Sequence, residues 1–145
     1  RTTEGGLNVF KKIRSLRSFI EPIKQKNIRV SLFIEPSEKQ IDAAKSIGAD
    51  IIELHTGYFC ELYEKNDKNF IEVIKTIEKA AKYASKLGLE VHAGHGLTTS
   101  SVGYISKIRE IKELNIGHAI ISDSIFMGLG GAIEIMKQKI KESRF

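Results

Sequence analysis

Apolar positions recur along this chain in two alternating rhythms, which predicts a repeated strand–helix order. Val9, Ile13, Leu16 and Ile20 stand three and four apart, one stripe of a helix over residues 8–26. Residues 28–35 (IRVSLFIE) are a β-branched run closed by Pro36, a strand pattern. Ser37 then supplies an N-cap for a helix over 38–47, whose Ile41, Ala44 and Ile47 share a face and which Gly48 stops. Residues 50–55 (DIIELH) read as a second strand and Thr56–Lys65 as an irregular loop. The clearest helix covers 67–87, with Phe70, Val73, Ile74, Ile77, Ala81 and Ala84 on one stripe and Gly88 at its close. A third strand follows over 89–93, then a helix over 100–113 carrying Val102, Ile105 and Ile108. A fourth strand is predicted over 116–121. The last helix runs over 130–143 on Ile133, Met136 and Ile140, entered by a turn at Gly128–Gly131.

The order is therefore one helix and four strand–helix units, with no hairpin signal and no Pro- or Ser-rich linker. Strands separated by helices pair in parallel through right-handed crossovers. Both a small doubly wound sheet and half of a (β/α)8 barrel satisfy that order. In DIIELH, Glu53 and His55 fall on one face and Ile52 and Leu54 on the other. A central strand covered by helices on both sides is apolar on both faces. A carboxylate and an imidazole on one face instead turn it toward a polar pocket, as in the upper interior of an enzyme barrel. This favours the barrel, with the chain as its second half. The opening on Arg1, in loop-like sequence without an initiator methionine, also predicts a piece of something longer.

Composition narrows the classes. At 145 residues, 41% hydrophobic and 28% charged, the chain has the make-up of one soluble globular domain. No apolar run approaches the roughly 20 residues a bilayer span needs, and the polar start RTTEGGLNVF has no signal-peptide pattern. The expectation is a cytoplasmic protein with no membrane association. The single cysteine, Cys60, excludes an internal disulfide and, lacking a basic sequence neighbour, reads as a bystander rather than a nucleophile. The net charge of +5 is spread over helical faces, as in Lys11, Lys12, Arg14 and Arg17, or Lys137, Lys139 and Lys141. Such faces are solvated surface and also suit attraction of phosphorylated small substrates. No aromatic–basic interleaving of the kind that stacks nucleic acid is present.

Candidate chemistry concentrates in Glu90–Thr98 (EVHAGHGLT), a strand running into a glycine-rich turn with His95 between Gly94 and Gly96. Glycines there admit a ligand close to the backbone, and an imidazole between them transfers protons near neutral pH. Ile116–Ala119 (IGHA) repeats the Gly–His pair as Gly117–His118, where backbone amides can hold a phosphate. Glu53 is either a buried carboxylate satisfied by a lysine or backbone donors, or a general acid/base or stabiliser of a cationic intermediate. His55 and His92 stay open between structural and functional roles. His92 and His95, with Glu53 or His55, also have the residue types of a zinc or iron site, but not helical ligand spacing. GLGG lacks the Gly-Lys-Ser/Thr of a P-loop.

TTEGGL (Thr2–Leu7), VSLFIEPSEKQI (Val30–Ile41), IIELHTG (Ile51–Gly57), AGHGLT (Ala93–Thr98) and ELNIGHAII (Glu113–Ile121) together resemble the pyridoxine 5′-phosphate synthase family of vitamin B6 biosynthesis, over the whole chain. The resemblance implies a (β/α)8 barrel assembled as a homo-oligomer, with residues 1–145 as strands five to eight of that one domain. It implies a transferase-class ring closure, in which 3-amino-2-oxopropyl phosphate and 1-deoxy-D-xylulose 5-phosphate give pyridoxine 5′-phosphate, inorganic phosphate and water, with neither metal nor organic cofactor. By the same resemblance His95 is the catalytic proton donor and Glu53 stabilises charge in the transition state. Gly96, Gly117 and His118 bind the aminoketone phosphate, and Thr2 contacts the deoxyxylulose phosphate. A histidine, a glutamate and phosphate-gripping arginines of the family fall before Arg1, so the chain alone is expected to be inactive. Competing readings are another phosphosugar barrel enzyme, which calls for a metal or a Schiff-base lysine at a strand end, and a phosphate-binding α/β module without turnover.

Overall fold

In a computed structural model, which describes residues 4–144, four parallel strands form one sheet in the order β1-β2-β3-β4. The 3-10 turn Phe10–Lys12 leads into α1 (Ile13–Lys24), followed by β1 (Ser31–Ile34), α2 (Glu38–Ser46) and β2 (Ile51–His55). Then come α3 (Gly57–Glu64), α4 (Phe70–Lys86), β3 (Glu90–Gly94), α5 (Val102–Ser106), β4 (Ile111–Asn115) and α6 (His118–Ser143). Ser37 caps α2 by accepting the Gln40 N–H at 3.4 Å, as its type predicts. Gly88, at φ +74°, turns the chain out of α4 in the left-handed region open to glycine.

Register makes the two sheet faces unlike. Leu32, Ile52, Val91 and Ile111 align across the four strands, and all are buried. With Ile34, Leu54 and Ala93 they share one core with Ile41 and Ala44 of α2 and Ile77, Ala81 and Ala84 of α4. Removing each large aliphatic side chain from water contributes about 1.5–3 kcal/mol. The intervening row, Phe33–Glu53–His92–Glu113, belongs to the opposite face, as does the strand-end row His55–Gly94–Asn115. The polar face expected from DIIELH is therefore a property of the whole sheet.

Three predicted elements differ. The fourth strand is Ile111–Asn115, not 116–121, and residues 118–121 already belong to α6. β4 lies at the sheet edge with only Ile111 buried, so its sequence (IKELN) is poorer in apolar residues than the AII that follows. The helix expected over 100–113 shrinks to Val102–Ser106 because the chain must leave it to reach β4. The loop expected over Thr56–Lys65 is mostly α3, which buries Phe59, Cys60 and Leu62. The chain is already helical from His118, ahead of the expected last helix, and His118–Ser143 taken together is long and apolar enough to cross a membrane by length and composition, where the sequence pattern predicts no such run. Gly128, at φ 78° and ψ 154°, breaks its helical geometry between the two stretches that the GLGG turn separates in the sequence.

Candidate functional site

Parallel strands deliver all their C-terminal ends to one edge of a sheet, where α/β proteins bind ligands. A cleft of about 760 Å³ opens there. Its walls include Glu53, His95, Gly96, Gly117 and His118, so five of the six site residues expected from sequence meet in one cavity. Thr2, the sixth, lies outside the described residues.

His95 is the first residue after β3, and its backbone is left-handed at φ +78°, an uncommon state for a residue with a side chain. Its ring centroid lies 4.9 Å from that of His55 and 6.2 Å from that of Phe33. A Cβ on Gly57 would stand 2.8 Å from His95 Cδ2, so only glycine leaves that ring its place. The His95 carbonyl accepts the Thr56 hydroxyl at 2.6 Å and the Cys60 thiol at 3.7 Å. Gly96 follows at φ +79°, and a Cβ there would meet Cys60 Cβ at 3.1 Å. The fold by itself thus requires glycine at 96. Gly117 is the contrary case: its φ is −111° and a Cβ would meet nothing within 4 Å. Neither strain nor crowding within the chain calls for that glycine, and its backbone stands open to the cleft.

Glu53 resolves differently from either satisfied-carboxylate reading. Its Oε2 accepts Asn115 Nδ2 at 2.7 Å, and it forms no ion pair among the described residues. Its Oε1 lies 2.4 Å from where a Gly94 Cβ would be, so the carboxylate crosses β3 over the missing side chain to reach β4. Asn115, which lines the cleft, is a position that motif reading passes over, and Gly94, already marked in the glycine-rich turn, gains a second part here as the gap that Glu53 crosses. The available signal is register, because His55, Gly94 and Asn115 align at the strand ends. Thr98, Thr99, Glu64 and Asp123 also line the cleft.

The other histidines separate. His55 shares its Nδ1 with Glu35 Oε1 at 3.0 Å, while its buried Nε2 has no hydrogen-bond partner among the described residues. Glu35 in turn accepts the Gly6 N–H at 3.3 Å. His92 is buried further down β3, its Nε2 2.8 Å from Glu90 and its Nδ1 3.5 Å from Glu113. His92 and Arg29 hold the Glu90 carboxyl below its usual range. His92 does not line the cleft, and among the described residues no group of three or more His, Cys, Asp or Glu is placed to hold a metal. Burial pushes the Cys60 thiol up to about 11, so it stays protonated near neutrality, as a bystander would.

The cleft thus combines an imidazole in a fixed setting, a carboxylate held by a neutral donor, and the start of the helical stretch of α6 that runs from His118 to the break at Gly128. These suit proton transfer, stabilisation of developing positive charge, and binding of an anion at free backbone N–H groups. The pyridoxal phosphate biosynthesis protein PdxJ family matches residues 1–142. The chain belongs to the PdxJ family. Among PdxJ relatives it is 54% identical to the pyridoxine 5′-phosphate synthase of Sulfurihydrogenibium sp. (strain YO3AOP1) over 143 residues. It is 48% identical to that of Blochmanniella pennsylvanica over 143 residues. It is 47% identical to that of Zymomonas mobilis over 144 residues. Each alignment takes in 99% of this chain, yet 58%, 58% and 55% of the respective relative, so the chain spans a little over half the length of these synthases.

Proposed function

We propose that this chain is the C-terminal part of a pyridoxine 5′-phosphate synthase, a transferase-class, cytoplasmic enzyme that joins 3-amino-2-oxopropyl phosphate to 1-deoxy-D-xylulose 5-phosphate and releases inorganic phosphate and water. The observation that carries the reading is convergence. The residues that the family resemblance marks as functional in sequence, Glu53, His95, Gly96, Gly117 and His118, surround one cleft at the strand ends. In this reading His95 donates protons, Glu53 offsets positive charge as the amine and ketone condense, and Gly117–His118 at the start of α6 seats a substrate phosphate. Thr2 contacts the second substrate. Neither a metal nor an organic cofactor takes part.

The chain then forms strands five to eight of a (β/α)8 barrel, within one domain and a homo-oligomeric enzyme. Three features support this. β1 and β4 are sheet edges, which a closed barrel removes. The polar row containing Glu53 and His92 matches a barrel interior. The apolar side chains Ile121, Ile125 and Phe126 of α6 are 60%, 78% and 87% exposed, a surface that the missing strand–helix units would cover.

The test is product formation from the two substrates, using this chain joined to the N-terminal segment that its relatives carry (the full-length form). Turnover is expected in the full-length form, with loss of at least about 100-fold in His95→Ala. A folded full-length protein that binds inorganic phosphate but makes no product would refute the synthase reading in favour of a phosphate-binding module.

A further inference from the structure

We propose that Thr56 is the positioning residue for His95, holding the catalytic imidazole through the backbone rather than through the ring. The proposal rests on the proposed function. Thr56 occupies the N-cap of α3, where a threonine ordinarily accepts a backbone N–H of the first helical turn. Here it makes no such cap bond. Its hydroxyl is turned to the neighbouring strand end, 2.7 Å from the Gly94 carbonyl and 2.6 Å from the His95 carbonyl. A hydroxyl has one hydrogen, so the two carbonyls share one donor and are drawn to a common point. The Thr56 N–H adds a third link, to the Gly94 carbonyl at 2.9 Å. Thr56 is fully buried, so water does not compete for these bonds.

The two clamped carbonyls flank the point where the chain passes from β3 into the left-handed turn at His95 and Gly96. A left-handed residue bearing a side chain persists only where its surroundings over-determine it. The neighbours of Thr56 complete the setting. The His55 ring lies against that of His95, and Gly57 leaves room for it. Three consecutive residues, His55–Thr56–Gly57, thus form one cradle, and Thr56 is its only side-chain hydrogen-bond donor to the His95 backbone. Without the hydroxyl, the His95 carbonyl keeps the weak thiol donor of Cys60 at 3.7 Å.

The test compares Thr56→Val, Thr56→Ala and Thr56→Ser in the full-length form, each alone and with His95→Ala. Val keeps the shape and removes the donor, and kcat is expected to fall about 10- to 100-fold with KM within about threefold, the mark of a misplaced catalytic group. Ser restores the donor and is expected to return kcat to within about threefold of the parent. Since Thr56 acts through His95, Thr56→Val in the His95→Ala background should cost less than about twofold more. Ala carries the same comparison if the bulkier Val does not fold. Parental kcat in Val, a Ser variant as slow as Val, or equal losses in both backgrounds would overturn the proposal. Failure of both Val and Ala to fold would also overturn it, by making the hydroxyl a requirement of folding. A parent that itself makes no product would instead remove the proposed function.

Discussion

Replacing Gly94 with alanine tests the geometry of Glu53 most directly. An alanine methyl would sit 2.4 Å from Glu53 Oε1, 2.7 Å from the Asn115 carbonyl oxygen and 3.1 Å from Asn115 Cβ. Ordinary contact begins at 3.4 Å, so the carboxylate must move by 3.4 − 2.4 = 1.0 Å, and the β4 backbone leaves little room on the other side. Gly94 is not among the residues of positive φ, so the backbone accepts alanine and crowding alone decides the outcome. Overpacking of this kind costs about 1–3 kcal/mol. The stiffer unfolded chain offsets about 0.4–1 kcal/mol of it. The net expectation is about 1–2 kcal/mol of lost stability, seen as a fall of about 2–4 °C in Tm for each kcal/mol in a chain of this size class. Because the displaced group is the carboxylate, turnover should fall by up to about 100-fold. Thermal unfolding by circular dichroism and steady-state kinetics on the full-length form measure both. Adding Glu53→Ala should recover much of the lost stability, since it removes the nearest clashing atom. A Gly94→Ala variant with parental Tm and kcat would show that Glu53 does not lie across β3, refuting the account of its placement.

Gly117→Ala should leave the unfolding free energy unchanged, within about 0.5 kcal/mol, while raising KM for the aminoketone phosphate; equal KM values would deny this loop a phosphate role. Asp50 accepts the Lys24 ammonium and, at 2.8 Å, the Val30 N–H. Burial alone would raise its carboxyl, but these bonds, with the charges of Lys24 and Arg29, hold it below the usual range. A lowered folded pKa means that the stabilisation is present at neutral pH and disappears as pH falls through that lowered range. Asp50→Asn should therefore flatten the acid limb of a stability–pH curve measured by urea unfolding. Cys60, raised from 9.0 to about 11, should react with iodoacetamide at pH 8 at least about 100-fold more slowly in the folded protein than in denaturant. Its contribution to stability is present below pH 9 and is lost as pH climbs toward 11, which a thiol-free Cys60→Ala comparison by urea unfolding measures.

Periodicity alone carried the alternation of helices and strands, the apolar stripe of α4 and the unlike faces of β2. It did so because spacings of 3.6 and 2 report which side of a local element leaves water. His95 and the Gly117–His118 pair were legible for a related reason, since Gly–His pairs beside predicted strands are unusual chemistry in a short local word. The edge strand β4 was not legible, because an edge buries few side chains and its sequence lacks the strand's usual apolar signature. α3 was obscured in the same way by its short length. What only the tertiary structure decided is which distant residues meet. Glu53 reaches Asn115, 62 residues away, over the bare backbone of Gly94, and the Thr56 hydroxyl closes on a carbonyl 39 residues away. Those contacts depend on parallel register and on where each strand stops. Both are set by non-local pairing, which no local spacing of hydrophobic and polar residues encodes.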